Sequence, residues 1–141
     1  MLAEIWEHCN TIERSYEFTL AYAAQGLPSD AGSKAGGQIR EYLTRAAKAM
    51  SGLSESCATA LSQEGLEPAE KYTAFFQVLD RDANSSLAAV ELVLSQSRIS
   101  SQLIDNLNAS IHVRALLTDL FLLSEIIKTH LGSAKQSASS S

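Results

Sequence analysis

The sequence predicts an all-α protein. It reads as an up-down-up-down antiparallel four-helix bundle over 1–132, followed by a disordered, serine-rich tail over 133–141. Three observations predict this. Apolar residues recur at alternating spacings of three and four along four long stretches. Proline occurs only at Pro28 and Pro68, so those stretches run without a breaker. Ala, Leu and Ser dominate and aromatics make up only 6% of the chain, a balance that favours helices over sheets. At 141 residues the chain is one domain, long enough to bury a core without metals or disulfides.

The first helix spans 2 to about 25. Leu2, Ile5, Cys9, Ile12, Tyr16 and Ala23 form its seam, with Thr19 in the one weak slot. Gly26 ends it and Pro28 keeps it from resuming. Ser29 and Asp30 are both suitable caps for a second helix. The next stretch, 31–37, holds Gly32, Gly36 and Gly37. Each glycine inside a helix costs about 1 kcal/mol relative to alanine, so the second helix is placed from about 38 to 64 and 31–37 is left open between helix and loop. Its seam is unbroken: Ile39, Leu43, Ala46, Met50, Leu53, Cys57 and Ala60. Gly65 closes it.

Glu67-Pro68-Ala69-Glu70 is a good helix start, with proline early and acids near the positive end of the dipole. The third helix then runs from about 68 to 97 on Tyr72, Phe76, Leu79, Ala83, Leu87, Val90 and Leu94. Its middle, 80–86, is a weak helix former and is expected to bend. Ser100 or Ser101 caps a fourth helix that runs to Leu131 and stops at Gly132.

That fourth helix is the most apolar part of the chain. Between Leu116 and Ile127, eight large apolar residues spread over roughly 260° of the circumference, against the ~100° stripe of a half-wet surface helix. Such a helix sits in the middle of a bundle or buries a second face on another chain. Arg114 and Asp119 intrude on it, and the expected role for both is to fix register.

Charge and cysteine usage exclude more than they assign. A net charge of −5 argues against a nucleic-acid partner. The one basic stretch, with Lys34, Arg40, Arg45 and Lys48, comes after an acidic one with Glu4, Glu7, Glu13 and Glu17, so an antiparallel pair would set opposite charges face to face. Cys9 and Cys57 fall on seam positions and read as buried small hydrophobes, which fits a reducing compartment and a cytoplasmic location. Acidic residues from Glu4 onward argue against a signal or transit peptide. Charges at Arg114, Asp119 and Glu125 interrupt the fourth helix, so no membrane span is expected.

Catalytic and metal motifs are not found. Ferritin-like metal bundles need Glu-x-x-His on two helices, and none of His8, His112 and His130 has a Glu three residues before it. Asp80-x-Asp82-x-Asn84 opens like a calcium loop, but the sixth position is Ser85 instead of Gly, although the twelfth is Glu91 as required. No serine sits in a G-x-S-x-G elbow. The expectation is therefore a non-enzymatic interaction module (an adaptor, chaperone or regulatory bundle) with no metal and no cofactor. It self-associates as a homodimer, or binds an amphipathic helix, through Leu116, Leu117, Phe121, Leu122 and Ile126. Two alternatives stand beside it. One is a histidine phosphotransfer bundle using His112 or His130. The other is a bundle that binds a small hydrophobic ligand among Trp6, Tyr16, Tyr72 and Phe76.

Overall fold

A computed structural model describes the backbone of residues 2–140 and the side chains of residues 2–130. Among the described residues it is all helical, with no strand. These residues form five helices: α1 Leu2–Ala24, α2 Lys34–Gln63, α3 Ala69–Leu94, α4 Ser101–Ala109 and α5 Ile111–Ser140. α1 packs against α2, α4 and α5, and α3 packs against α2 and α5. Ser15 meets Tyr42 and His8 meets Gly52, so α1 and α2 run antiparallel. Tyr72 meets His130 and Ser86 meets His112, so α3 and α5 do too.

The single fourth helix expected from the sequence needs correcting: it is two helices. At Ser110 the backbone leaves the helical region (φ −57°, ψ 129°), then returns as the Ser110 carbonyl accepts from Arg114 N at 3.0 Å. Asn108 and Ser110 supply the weak point, since Asn and Ser favour caps and turns over helix interiors. The break puts the start of α5 beside α3, where Ser86 Oγ donates to the His112 carbonyl at 2.8 Å. α5 is bounded at Ile111–Ser140, past the Gly132 expected to stop it. The expected tail, 133–141, lies outside the residues whose side chains are described.

The start of α2 is the second difference. Its cap is Ser33, in extended backbone (φ −132°, ψ 156°), with Oγ accepting from Gly36 N at 2.9 Å. Helix therefore begins inside the glycine-rich stretch. Gly36 permits it: a Cβ there would lie 1.8 Å from the Asp30 carbonyl oxygen, so the α1–α2 loop rests directly on the helix backbone. Asp30, one of the expected caps, is used elsewhere. Its carboxylate accepts from Arg40 Nε (2.7 Å) and from Ile99 N (2.8 Å), while Arg40 also donates to the carbonyls of Leu94 (3.1 Å) and Gln96 (2.8 Å). One guanidinium thus holds the α1–α2 loop and closes the C-terminal end of α3.

The α1–α4 contact is built nearby. Tyr22, fully buried, donates its hydroxyl to the Ile99 carbonyl at 2.6 Å. Ser101 Oγ donates to the Tyr22 carbonyl (2.6 Å) and accepts from Leu27 N (2.8 Å). Ser100 is the α4 cap, its Oγ accepting from Leu103 N at 3.0 Å, so the 97–100 segment does turn.

The α2 seam is buried at every expected position. The α1 seam is buried at Ile5, Cys9, Ile12 and Thr19, whereas Leu2, Tyr16 and Ala23 are half-buried and Ser15 and Tyr22 take buried places instead. Hydrogen bonds allow the substitution: Ser15 Oγ donates to the carbonyls of Thr11 (2.9 Å) and Tyr42 (3.1 Å). α3 is one continuous helix through 80–86, the stretch of weakest helix formers in it. Its Asp80, Asp82 and Asn84 lie on a helix and cannot wrap an ion as a calcium loop does. Two cations of the basic stretch pair locally, Arg40 with Asp30 and Arg45 with Glu41, and among the described residues no ion pair joins this stretch to the acids of α1.

Candidate interaction surface

α5 presents two faces of different character. Leu116, Leu120, Leu123 and Ile127 recur at three- and four-residue spacing and are buried, with Val113 and Leu117 beside them. This face fills the space between α1 and α3. Of the five residues expected to bind a partner, Leu116 and Leu117 therefore belong to the core, and Ile126 is half-buried. Phe121 and Leu122 are different: they are 57% and 55% exposed, and Ile111 at the head of the helix is 76% exposed. Leu92 and Val78 on α3 and Leu20 on α1 are also exposed.

Around Phe121 the outward residues are Arg114, Thr118, Glu125 and Lys128. Among the described residues neither Arg114 nor Glu125 makes an ion pair, and Arg114 lies at the surface instead of fixing register inside.

Asp119 is the polar residue that does reach inward. It is half-buried, and its Oδ2 is out of contact with solvent and has no hydrogen-bond donor. Its carboxyl pKa is raised to about 7, first by desolvation and then by the neighbouring carboxyl of Asp82 on α3. An acid pair thus bridges α3 and α5, and near neutral pH it holds a proton on Asp119 part of the time.

The thiols are shielded. Burial pushes Cys9 up to about 11 and Cys57 up to about 12, so both stay protonated and unreactive in the folded chain. Cys9 sits against Ser124 of α5, whose Oγ lies 3.5 Å from Glu13 Oε1. Burial also raises the Glu13 carboxyl above its ordinary range.

The residues behind the two alternatives are placed as follows. His112 and His130 are both exposed, and Nε2 of His130 lies 3.1 Å from the Tyr72 hydroxyl. The four aromatics of the ligand-pocket alternative do not line one cavity. Phe76 borders a groove of about 230 Å³ between α2 and α3, whereas Tyr16 borders a separate small cleft of about 30 Å³. Trp6 and Tyr72 border neither. No described helix is long and apolar enough to cross a membrane. Which of these five residues would stay outside was not legible from periodicity, because the apolar residues of this helix cover most of its circumference. Comparisons with protein-family models, with curated proteins and with solved structures each returned no match.

Proposed function

We propose that this chain is a non-enzymatic protein-interaction module, an adaptor, chaperone or regulatory bundle, and that the outer face of α5 is its docking surface. One observation carries the reading. Phe121 and Leu122, adjacent in sequence, are each more than half exposed on a helix whose other face is fully used in the core. Burying a side chain of this size yields roughly 1.5–3 kcal/mol, so about half of that is unrealised at each residue in the lone chain. Exposed apolar side chains grouped on one face and ringed by charges are the usual make-up of a protein contact.

In this reading the five helices work as four antiparallel rods, α4 and α5 being two pieces of the fourth. The partner is a protein instead of a nucleic acid, which the net charge of −5 supports. The free, buried thiols support a reducing, cytoplasmic setting.

The test is binding of a hydrophobic dye and of an amphipathic helical peptide to the whole chain, with Phe121→Gln/Leu122→Gln as the comparison. The wild-type chain is expected to bind both and the double variant to lose most of that binding while keeping its helical circular dichroism. A wild-type chain that binds neither overturns the reading.

A further inference from the structure

The outward residues of α5 carry more than apolar surface. Ile111, Arg114, Thr118, Phe121, Glu125 and Lys128 are all exposed and recur at alternating spacings of three and four, the pattern of a helix-pairing seam. The charges along it are arranged asymmetrically, with the cation Arg114 on the N-terminal side of Phe121 and the anion Glu125 on its C-terminal side.

We infer that the occupant of this face is a second copy of the chain, its α5 lying antiparallel on the first across a two-fold axis between Asp119 and Leu120. The inference rests on the reading of the α5 face as a docking surface and names what docks there. A two-fold contact requires the surface to complement itself. Inverting the seam about that axis sets Arg114 against Glu125 of the other copy and Glu125 against its Arg114, so both charges find opposite partners twice. The same inversion lays Phe121 over Thr118, the aliphatic stem of Lys128 over Ile111, and Leu122 along the flank. Sliding one helix by a heptad sets Phe121 against Glu125 in one direction. In the other it sets Arg114 against Thr118. Either slide leaves Arg114 without an acid, so the charge pattern selects a single register.

The strip from Ile111 to Lys128 is about 27 Å long at ~1.5 Å per residue. At a helix width of roughly 10 Å it covers well under the ~800 Å² per partner of a standard interface. The dimer is therefore weak and depends on concentration.

The experiment is sedimentation equilibrium of the full chain over a wide concentration range, with Arg114→Glu, Glu125→Arg, their equimolar mixture and the double variant. Wild type is expected to show a monomer–dimer equilibrium. Each single reversal creates two like-charge contacts by symmetry and weakens it about tenfold or more. The mixture, and the double variant alone, restore it, because each again sets an acid opposite a base at both ends of the seam. Circular dichroism verifies that these exposed substitutions leave the fold intact. A dimer indifferent to both single reversals overturns the inference. A wild-type chain that stays monomeric yet binds the hydrophobic dye also overturns it and leaves the docking surface to another partner. A monomer that binds no dye removes both.

Discussion

Asp119 makes the stability of the folded chain depend on pH in the opposite sense to most carboxylates. Its folded pKa, about 7, lies above the ordinary 3.8 that it recovers on unfolding. Between those values the folded state binds more protons than the unfolded one, so stability falls as pH rises through the window. The contribution is fully present below about pH 4 and gone above about pH 7. The rise from 3.8 to about 7, at about 1.4 kcal/mol per pH unit, sets a ceiling of about 4 kcal/mol. Only Oδ2 is sealed from solvent and the residue as a whole is half-buried, so screening reduces this to about 1–2 kcal/mol.

Asp119→Asn isolates the effect. The amide has the shape of the protonated acid and carries no charge. Its Nδ2 can donate to Asp82 in place of the shared proton. Urea unfolding at several pH values between about 4 and 8 is the assay. The wild type is expected to lose about 1–2 kcal/mol across that range on account of this group, and Asp119→Asn to remove that part of the slope and be the more stable protein at pH 8. Asp82→Asn should remove only part of the slope, because desolvation, the largest cause, stays. If the slopes of wild type and Asp119→Asn coincide, or the Asn variant is the weaker protein at pH 8, the acid pair does not exist as described.

The geometry sets three further outcomes. Gly36→Ala should destabilise by about 2 kcal/mol or more, although alanine is the better helix former by about 1 kcal/mol, because its Cβ meets the Asp30 carbonyl; thermal unfolding at or above the wild-type midpoint would contradict that contact. Arg40→Met should cost about 1–3 kcal/mol through the lost bonds to Asp30, Leu94 and Gln96, measured by urea unfolding. Arg40, followed by the bond from Ile99 N, also holds the Asp30 pKa below its ordinary value, a contribution present near neutral pH and lost as pH falls through the folded pKa. The variant should therefore show a shallower acid-side loss than wild type. Cys9 and Cys57 should resist a thiol reagent at neutral pH in the folded chain and react in denaturant, read as thiols modified per chain; prompt reaction without denaturant would show that the core opens there.

Helix existence was legible where one face alone is apolar. α2 shows this, since every seam position from Ile39 to Ala60 is buried as expected. Reading failed where polar side chains take buried slots by satisfying themselves, as Ser15, Tyr22 and Ser86 do through cross-helix bonds to Tyr42, Ile99 and His112. A spacing rule scores side chains one by one and cannot see those partners. The cap at Ser33 was hidden for a related reason. The glycines around it argue against helix on propensity alone, whereas Gly36 is needed for the close approach of Asp30.

The candidate site was half legible, and the break at Ser110 explains which half. Continued without interruption at 100° per residue, α4 would carry the direction of its buried Ile104 to Ile111, Ala115, Thr118 and Leu122, which all return to within roughly 40° of it. The residues α5 buries, Val113, Leu116, Leu120, Leu123 and Ile127, lie roughly 100–180° away from that direction. The extended turn at Ser110 therefore swings α5 by well over a quarter turn, bringing a face rich in leucine into the core and sending Ile111 and Leu122 outward. The wide apolar arc read from the sequence is the overlay of these two directions: the side that the core takes, and the side that an unbroken helix would have offered it. Phe121 belongs to neither and stands at the edge between them. The outward placement of Ile111 and Leu122 thus arises from one non-helical residue, and Arg114 and Glu125 stand on either side of the neighbouring Phe121.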